Sequence, residues 1–350
     1  MKFLKLLAFA GCVLALGASV ASAGINSKEV GAVLVYPDYA ATDQFEPGGD
    51  GTALVTYITI TNDKSSEVNA HIEVVGGVAC DDCNFDLFLT GVQTKRLMLR
   101  RELVGSAWAT VVYDASPHSS TGTPVILGAC PERYGFVVAI LEYAQDGHVV
   151  EPRRTLGENM LHGDEVVVNL STASVSQVGA IAVQGAGPNS GGRYLEFNNQ
   201  EYAAFPSIVT TNFWAANNNV DPRLILVNLD FNTHRGPGDP DPSTACSMNF
   251  VNAEERVFSR NFGFGCWANS RLVDISPNFH ENILGTANGF LWIQCSEGTH
   301  GALLTSLAGS VGSYPYSLAS EFKDTLFQSV TTNPGAKLKM TPSITDVDPQ

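Results

Sequence analysis

Two stretches of the chain alternate with a period of two. In GTALVTYITITN (residues 51–62), Ile58 and Ile60 alternate with Thr59 and Thr61. In NAHIEVV (residues 69–75), Ala70, Ile72 and Val74 alternate with Asn69, His71 and Glu73. Successive side chains on a strand point to opposite faces, so each stretch makes one oily face and one polar face. A chain built this way must stack a second layer on the oily side. The polar DKSSE between the stretches reads as a turn. Together they predict a β-hairpin with Asn69, His71 and Glu73 in water.

The rest of the chain repeats the theme. Residues 33–36 (VLVY) predict a first strand, stopped by Pro37. FDLFL (85–89), WATVVY (108–113), VVVNL (166–170) and LILVNLDF (224–231) predict further strands, with Ile225, Val227, Leu229 and Phe231 facing in. FVVAIL (136–141) has no polar alternation, which predicts a central strand covered on both faces. Residues 317–327 fit a short helix or a terminal strand equally. GAGPNSGG (185–192) has the composition of a linker. The expected class is all-β, as two antiparallel β-sandwiches of immunoglobulin-like or jelly-roll-like type. The expected division is a leader over 1–23, a sandwich over 24–185, a linker over 186–206, a second sandwich over 207–330 and a loose tail over 331–350. The halves are weakly alike: CNFDLFL from Cys83 lies against CSMNFVN from Cys246, and GFVVAIL from Gly135 against GFLWIQC from Gly289.

The first residues read as a secretion signal: Lys2 and Lys5, an apolar run, then Ala21-Ser22-Ala23. A lipoprotein site at Cys12 is the weaker reading, since the apolar run continues past it. No later run reaches the roughly 18 apolar residues of a membrane helix. The expected location is extracytoplasmic, in a periplasm, at a cell surface or secreted. A formal net charge of −15 argues against nucleic acid and anionic membrane as partners, because both demand stripes of Lys and Arg. Extracellular proteins or glycans remain.

Without Cys12 the cysteines are Cys80, Cys83, Cys130, Cys246, Cys266 and Cys295, an even set that suits disulfides in an oxidising compartment. The expected bonds are Cys246–Cys266 and one from Cys130 to Cys80 or Cys83. An even split of three per half leaves one thiol over in each.

The strings VLVYPDY (33–39), TYITITN (56–62), NFDLFLTG (84–91) and GDEVVVNL (163–170) resemble a class of uncharacterised exported bacterial proteins with a YPxY … ITN … DFxxxLT pattern. The resemblance implies an extracytoplasmic β-sandwich and carries no catalytic residues.

Each candidate for chemistry has a plainer reading. Ser190 sits in PNSGG, but no matching histidine and aspartate accompany it, so the segment reads as linker. Cys80 and Cys83 form a CxxC with two acids between the thiols and a strand after it, which favours a structural bond over a redox pair. Cys80, Cys83 and Cys130 with His71 or His118 could converge on zinc, which an oxidising compartment disfavours. His280-Glu281 lacks the second histidine of a zincin and reads as a surface pair. Asp239 and Asp241, and the acidic loop from Asp38 to Asp50, could hold calcium, although acidic loops are common without an ion. Trp108 and Trp292 read as core. Trp214 and Trp267 are the exposed candidates for stacking on sugar, with Tyr194, Tyr202, Tyr314 and Tyr316 as further aromatics. Among 35 acids no pair stands out for glycoside hydrolysis. The expectation is a non-catalytic structural or interaction protein without a cofactor. A carbohydrate-binding module or glycan-directed hydrolase is the alternative, and a metal- or redox-linked factor stands third.

Overall fold

A computed structural model of the chain describes residues 25–339, apart from 27–28, 50, 117–122, 150–154, 186–193, 206–207, 230, 233–241, 297–298, 308–315, 322 and 325–336. The leader, Cys12, His118, Ser190, Asp239, Asp241 and Tyr314 lie outside the described residues. The described chain is nearly all β. No described helix is long and apolar enough to cross a membrane.

A seven-stranded antiparallel sheet has the order Ile25–Asn26, Ile181–Val183, Val33–Ala40, Tyr134–Gln145, Val68–Gly76, Asp82–Leu89, with His148–Val149 beside Tyr134–Gln145. An eleven-stranded sheet includes Val125–Cys130, Ala107–Asp114, Thr94–Val104, Leu54–Asn62, Asp164–Asn169 and Ser174–Gly179 from the first half. It continues through Tyr316–Glu321, Thr299–Leu307 and Val220–Asn228 to Trp267–Arg271 from the second. The two parts meet at a parallel step, Val175 beside Tyr316. A five-stranded sheet runs Val257–Phe264, Thr244–Asn252, Asn288–Cys295, Ile208–Trp214, Lys323–Asp324.

Three cores follow. Ile58, Ile60, Leu97 and Leu99 of the long sheet pack on Ala70, Ile72 and Val137 of the seven-stranded sheet. Val33, Val35, Phe136, Val138 and Ile140 point out of the other face of that sheet and pack on Leu195, Phe197, Tyr202 and Phe205. Phe213, Met248, Phe250, Leu291 and Ile293 of the five-stranded sheet pack on Leu224, Leu226, Leu272 and Phe279. Truncating one such side chain to alanine costs about 2–5 kcal/mol, because the lost burial is compounded by a cavity.

Several expectations change here. The two alternating stretches do not pair as a hairpin. Leu54–Asn62 bonds to Asp164–Asn169 and Thr94–Val104, whereas Val68–Gly76 bonds to Asp82–Leu89 and Tyr134–Gln145. The turn is an arch between sheets, and the two oily faces meet across the first core. Asn69, His71 and Glu73 are not in water but 0–1% exposed, because a second layer covers them too. Pro37 does not end its strand: Val33–Ala40 runs through it, with the register shifting between Tyr36 and Tyr39. A bulge there tolerates the missing N–H. Of the expected linker 186–206, Leu195, Phe197, Tyr202 and Phe205 are fully buried, so this segment is core. Within the expected tail, Lys337–Lys339 pairs with Tyr194–Glu196 and Phe231–Asn232. Residues 316–321 form a strand rather than a helix. The likeness between halves does not extend to pairing. Asp82–Leu89 and Tyr134–Gln145 are separated by a strand, while Thr244–Asn252 and Asn288–Cys295 are neighbours. The apolar run 136–141 is central and covered on both faces, as expected. Val220–Asn228 is likewise covered on both faces: Leu224 and Leu226 enter the third core, Val227 enters the second, and Ile225 packs on Val178.

Candidate functional site

The densest group of ionisable side chains lies on the second face of the seven-stranded sheet. The alternation of 69–75 places Asn69, His71 and Glu73 on that face, and the register sets His71 beside Asp86 and Asn69 beside Glu142. His71 Nδ1 is 3.1 Å from Asp86 Oδ1, and its Nε2 is 3.8 Å from Glu73 Oε1. Asn69 Nδ2 donates to Asp86 Oδ1 at 3.0 Å and to Glu142 Oε2 at 2.8 Å. Burial alone would pull the imidazole pKa down. The hydrogen bond to Asp86 and the charges of Glu73 and Glu142 outweigh it and hold His71 above its ordinary value. One donor atom from each of His71, Asp86 and Glu142 lies within 4.8 Å of the other two, a nitrogen-and-oxygen set that could hold a divalent cation. Hydrogen bonds within the face link Asn69, His71, Asp86 and Glu142. The zinc set expected from the sequence includes His71, but alongside cysteines that are committed to disulfides.

A second group joins the halves. Asp38 sits in the bulge of Val33–Ala40; its backbone N–H donates to Glu165 Oε2 at 3.3 Å, and Asn269 Nδ2 donates to its Oδ1 at 3.0 Å. Burial pushes the Asp38 pKa up to about 6 against the pull of Asn269 and Arg223. Burial, reinforced by the Asp38 charge, pushes Glu165 well above the usual carboxylate range. Carboxyl groups shifted upward by burial recur among general acids and bases. Yet Asp38 is 7% exposed and Glu165 1%, so the pair serves the junction between sheets rather than an open cleft. The junction also takes Trp267. Its Nε1 donates to Pro37 O at 2.8 Å, and a Cβ on Gly77 would meet its ring at 2.3 Å. Trp267 is therefore packed between sheets, which corrects its assignment as an exposed stacking residue.

The acidic loop after Asp38 is used internally. Arg101 Nη2 and Arg133 Nη2 reach Glu46 Oε1 at 2.9 and 3.0 Å. Burial alone would raise the Glu46 pKa; the two guanidinium groups outweigh it and hold the carboxyl below its usual value. Asp43 Oδ1 accepts from the Phe45 N–H. His280 caps the short helix Glu281–Leu284, with Nδ1 accepting from the Asn282 N–H, and Glu281 accepts from Asn217. Tyr202 is core.

All six cysteines beyond Cys12 are bonded: Cys80–Cys266, Cys83–Cys130 and Cys246–Cys295. The bond from Cys130 takes the second of its two expected partners. Cys246 pairs with Cys295 rather than Cys266, because Thr244–Asn252 lies beside Asn288–Cys295 with those residues opposite each other. The leftover thiol of each half is resolved by one bond between halves. This removes the cysteine zinc site.

Of the exposed large aromatics among the described residues, Trp214 and Phe290 share the outward face of the five-stranded sheet, whereas Phe45 and Tyr143 lie elsewhere. Trp214 is 46% exposed and Phe290 39%. Trp292 is half-buried beside Phe290, with ring centroids 6.2 Å apart, so its reading as core is corrected. Trp108 is half-buried elsewhere. The alternation Phe290, Trp292, Gln294 against Leu291 and Ile293 carried the signal for this face. Comparisons with family models, with curated proteins and with solved structures found no match.

Proposed function

We propose that this is an extracytoplasmic structural or interaction protein that performs no catalysis. The observation that carries the reading is the bonding of all six of these cysteines, including Cys80–Cys266 across 186 residues of sequence. Such cross-links persist in oxidising compartments. The ionisable clusters support it in a second way. His71 with its carboxylates, Asp38 with Glu165, and Glu46 with its arginines engage one another, and His71, Asp38, Glu165 and Glu46 are buried.

Cell fractionation with thiol blocking tests the location. Recovery outside the cytoplasm with the six cysteines resistant to alkylation is expected, and a reduced cytoplasmic pool overturns it. Assays against polysaccharide, ester and peptide substrates test the rest. No turnover is expected; turnover abolished by a single Asp or Glu substitution overturns the non-catalytic reading.

A further inference from the structure

Among the described residues the five-stranded sheet packs on a core through one face, and on its other face only Thr210, opposite Trp292, is buried. On the inward face Phe213, Leu291, Ile293, Met248 and Phe250 are essentially inaccessible. The outward face follows from the cross-strand register. Trp214 lies opposite Asn288. In the next row Asn212 lies opposite Phe290, which lies opposite Val251. The next places Trp292 opposite Asn249, and Asn249 opposite Ser259. A fourth sets Gln294 opposite Ser247, and Ser247 opposite Asn261. Trp214, Phe290 and Trp292 thus step diagonally across two neighbouring strands, with amides and hydroxyls on both sides. Diagonal neighbours on a sheet face are about 7–8 Å apart, within reach of large rings.

What this face lacks is as specific. In a chain of net charge −15, the outward positions of its four longer strands hold no ionisable side chain. Lys323, on the short edge strand, takes the register position beside Thr210. Thr210 lies opposite Trp292, so Lys323 is a charged position at the edge of that row; the four longer strands offer a charged partner nothing to pair with, and nucleic acid no basic stripe. Exposed large aromatics on a flat sheet mark a binding surface rather than a folding requirement. Planar amides supply donors and acceptors together, which suits ligands made of hydroxyl groups.

We propose that this face binds a neutral glycan chain, with Trp214, Phe290 and Trp292 stacking on the apolar faces of sugar rings and Asn212, Asn249 and Gln294 hydrogen-bonding to their hydroxyls. The inference rests on the reading above and names the partner of that interaction protein. The diagonal row makes the ligand an extended chain of several rings rather than a single sugar. Because the site is uncharged, binding is insensitive to salt.

Depletion isotherms on the purified full chain test this, with cellulose, chitin, xylan, mannan and starch and an array of neutral oligosaccharides as probes. Binding to at least one probe is expected, unchanged between 50 and 500 mM NaCl (roughly a threefold change in Debye length). Trp214→Ala and Phe290→Ala should each weaken it by about tenfold or more, with the melting temperature preserved. Trp108→Ala, in the other sandwich, should leave it intact. The absence of binding to every probe overturns the proposal. So does binding that survives the double variant Trp214→Ala/Phe290→Ala, or self-association of the chain lost in that variant, which would make a second copy the occupant. Release of reducing ends from a bound probe would instead overturn the non-catalytic reading while leaving this face its ligand.

Discussion

The seven-stranded and five-stranded sheets use the same alternating pattern to opposite ends. In the first, both sets of side chains are buried, and the polar set survives burial by pairing within the face: His71 with Asp86, Asn69 with Asp86 and Glu142. In the second, only one set is buried, and the other presents Trp214 and Phe290 to solvent. Residue type does not decide which face is wet. A histidine and two glutamates lie inside one sheet while a tryptophan and a phenylalanine lie outside the other. What decides is whether a second layer covers the face, and the segment Tyr194–Phe205 supplies that layer for the first sheet alone.

The contrast can be broken first at the bond that holds the halves together. Replacing Cys80 and Cys266 with serine opens a loop of 186 residues and should cost about 4–5 kcal/mol, some 1 kcal/mol more than opening either shorter loop, as read by chemical denaturation. Next comes the buried network. Glu142→Ala or His71→Ala removes one member of a desolvated charged group and should cost about 3–5 kcal/mol, since the others remain buried. A loss under 1 kcal/mol in either variant would show that this face is wetter than described.

Asp38→Asn should change stability in the opposite direction. Its carboxyl titrates near 4 when unfolded and about 6 in the fold, so the native state holds the proton more tightly. The contribution of Asp38 to stability is therefore greatest below pH 4, falls as pH rises from 4 to 6, and stays lower above that. The asparagine variant should gain about 1–3 kcal/mol at pH 7.5 and nothing at pH 4, in parallel denaturation curves. The smallest effect belongs to the open face: Trp214→Ala should shift stability by less than about 1 kcal/mol, whereas Phe250→Ala on the opposite face of the same sheet should cost about 3–5.

The parts legible in the sequence are those set by local chemistry. The period of two in residues 54–62 and 68–76, and the unbroken apolar run around Val137–Leu141, encode strands and one doubly buried centre. An even count of six cysteines beyond Cys12 encodes cross-links. The parts not legible depend on partners distant in sequence. Nothing near Cys80 encodes Cys266, and nothing near His71 says that its face will be covered. Trp267 and Trp292 exchange roles for different reasons: Trp267 docks against Pro37 and Gly77, which are distant in sequence, whereas the local period of two in GFLWIQC turns Trp292 outward.

Cys80 and Cys83 stand three residues apart, yet their partners emerge far apart during synthesis. Cys130 is delivered early to either thiol, while Cys266 arrives only after most of the chain has been made. The early choice is between a correct bond from Cys83 and an incorrect one from Cys80, made before Cys266 is present to compete. A chain that first joins Cys80 to Cys130 reaches the native pairing only by thiol–disulfide exchange, in which the Cys83 thiolate attacks Cys130 and frees Cys80 for Cys266.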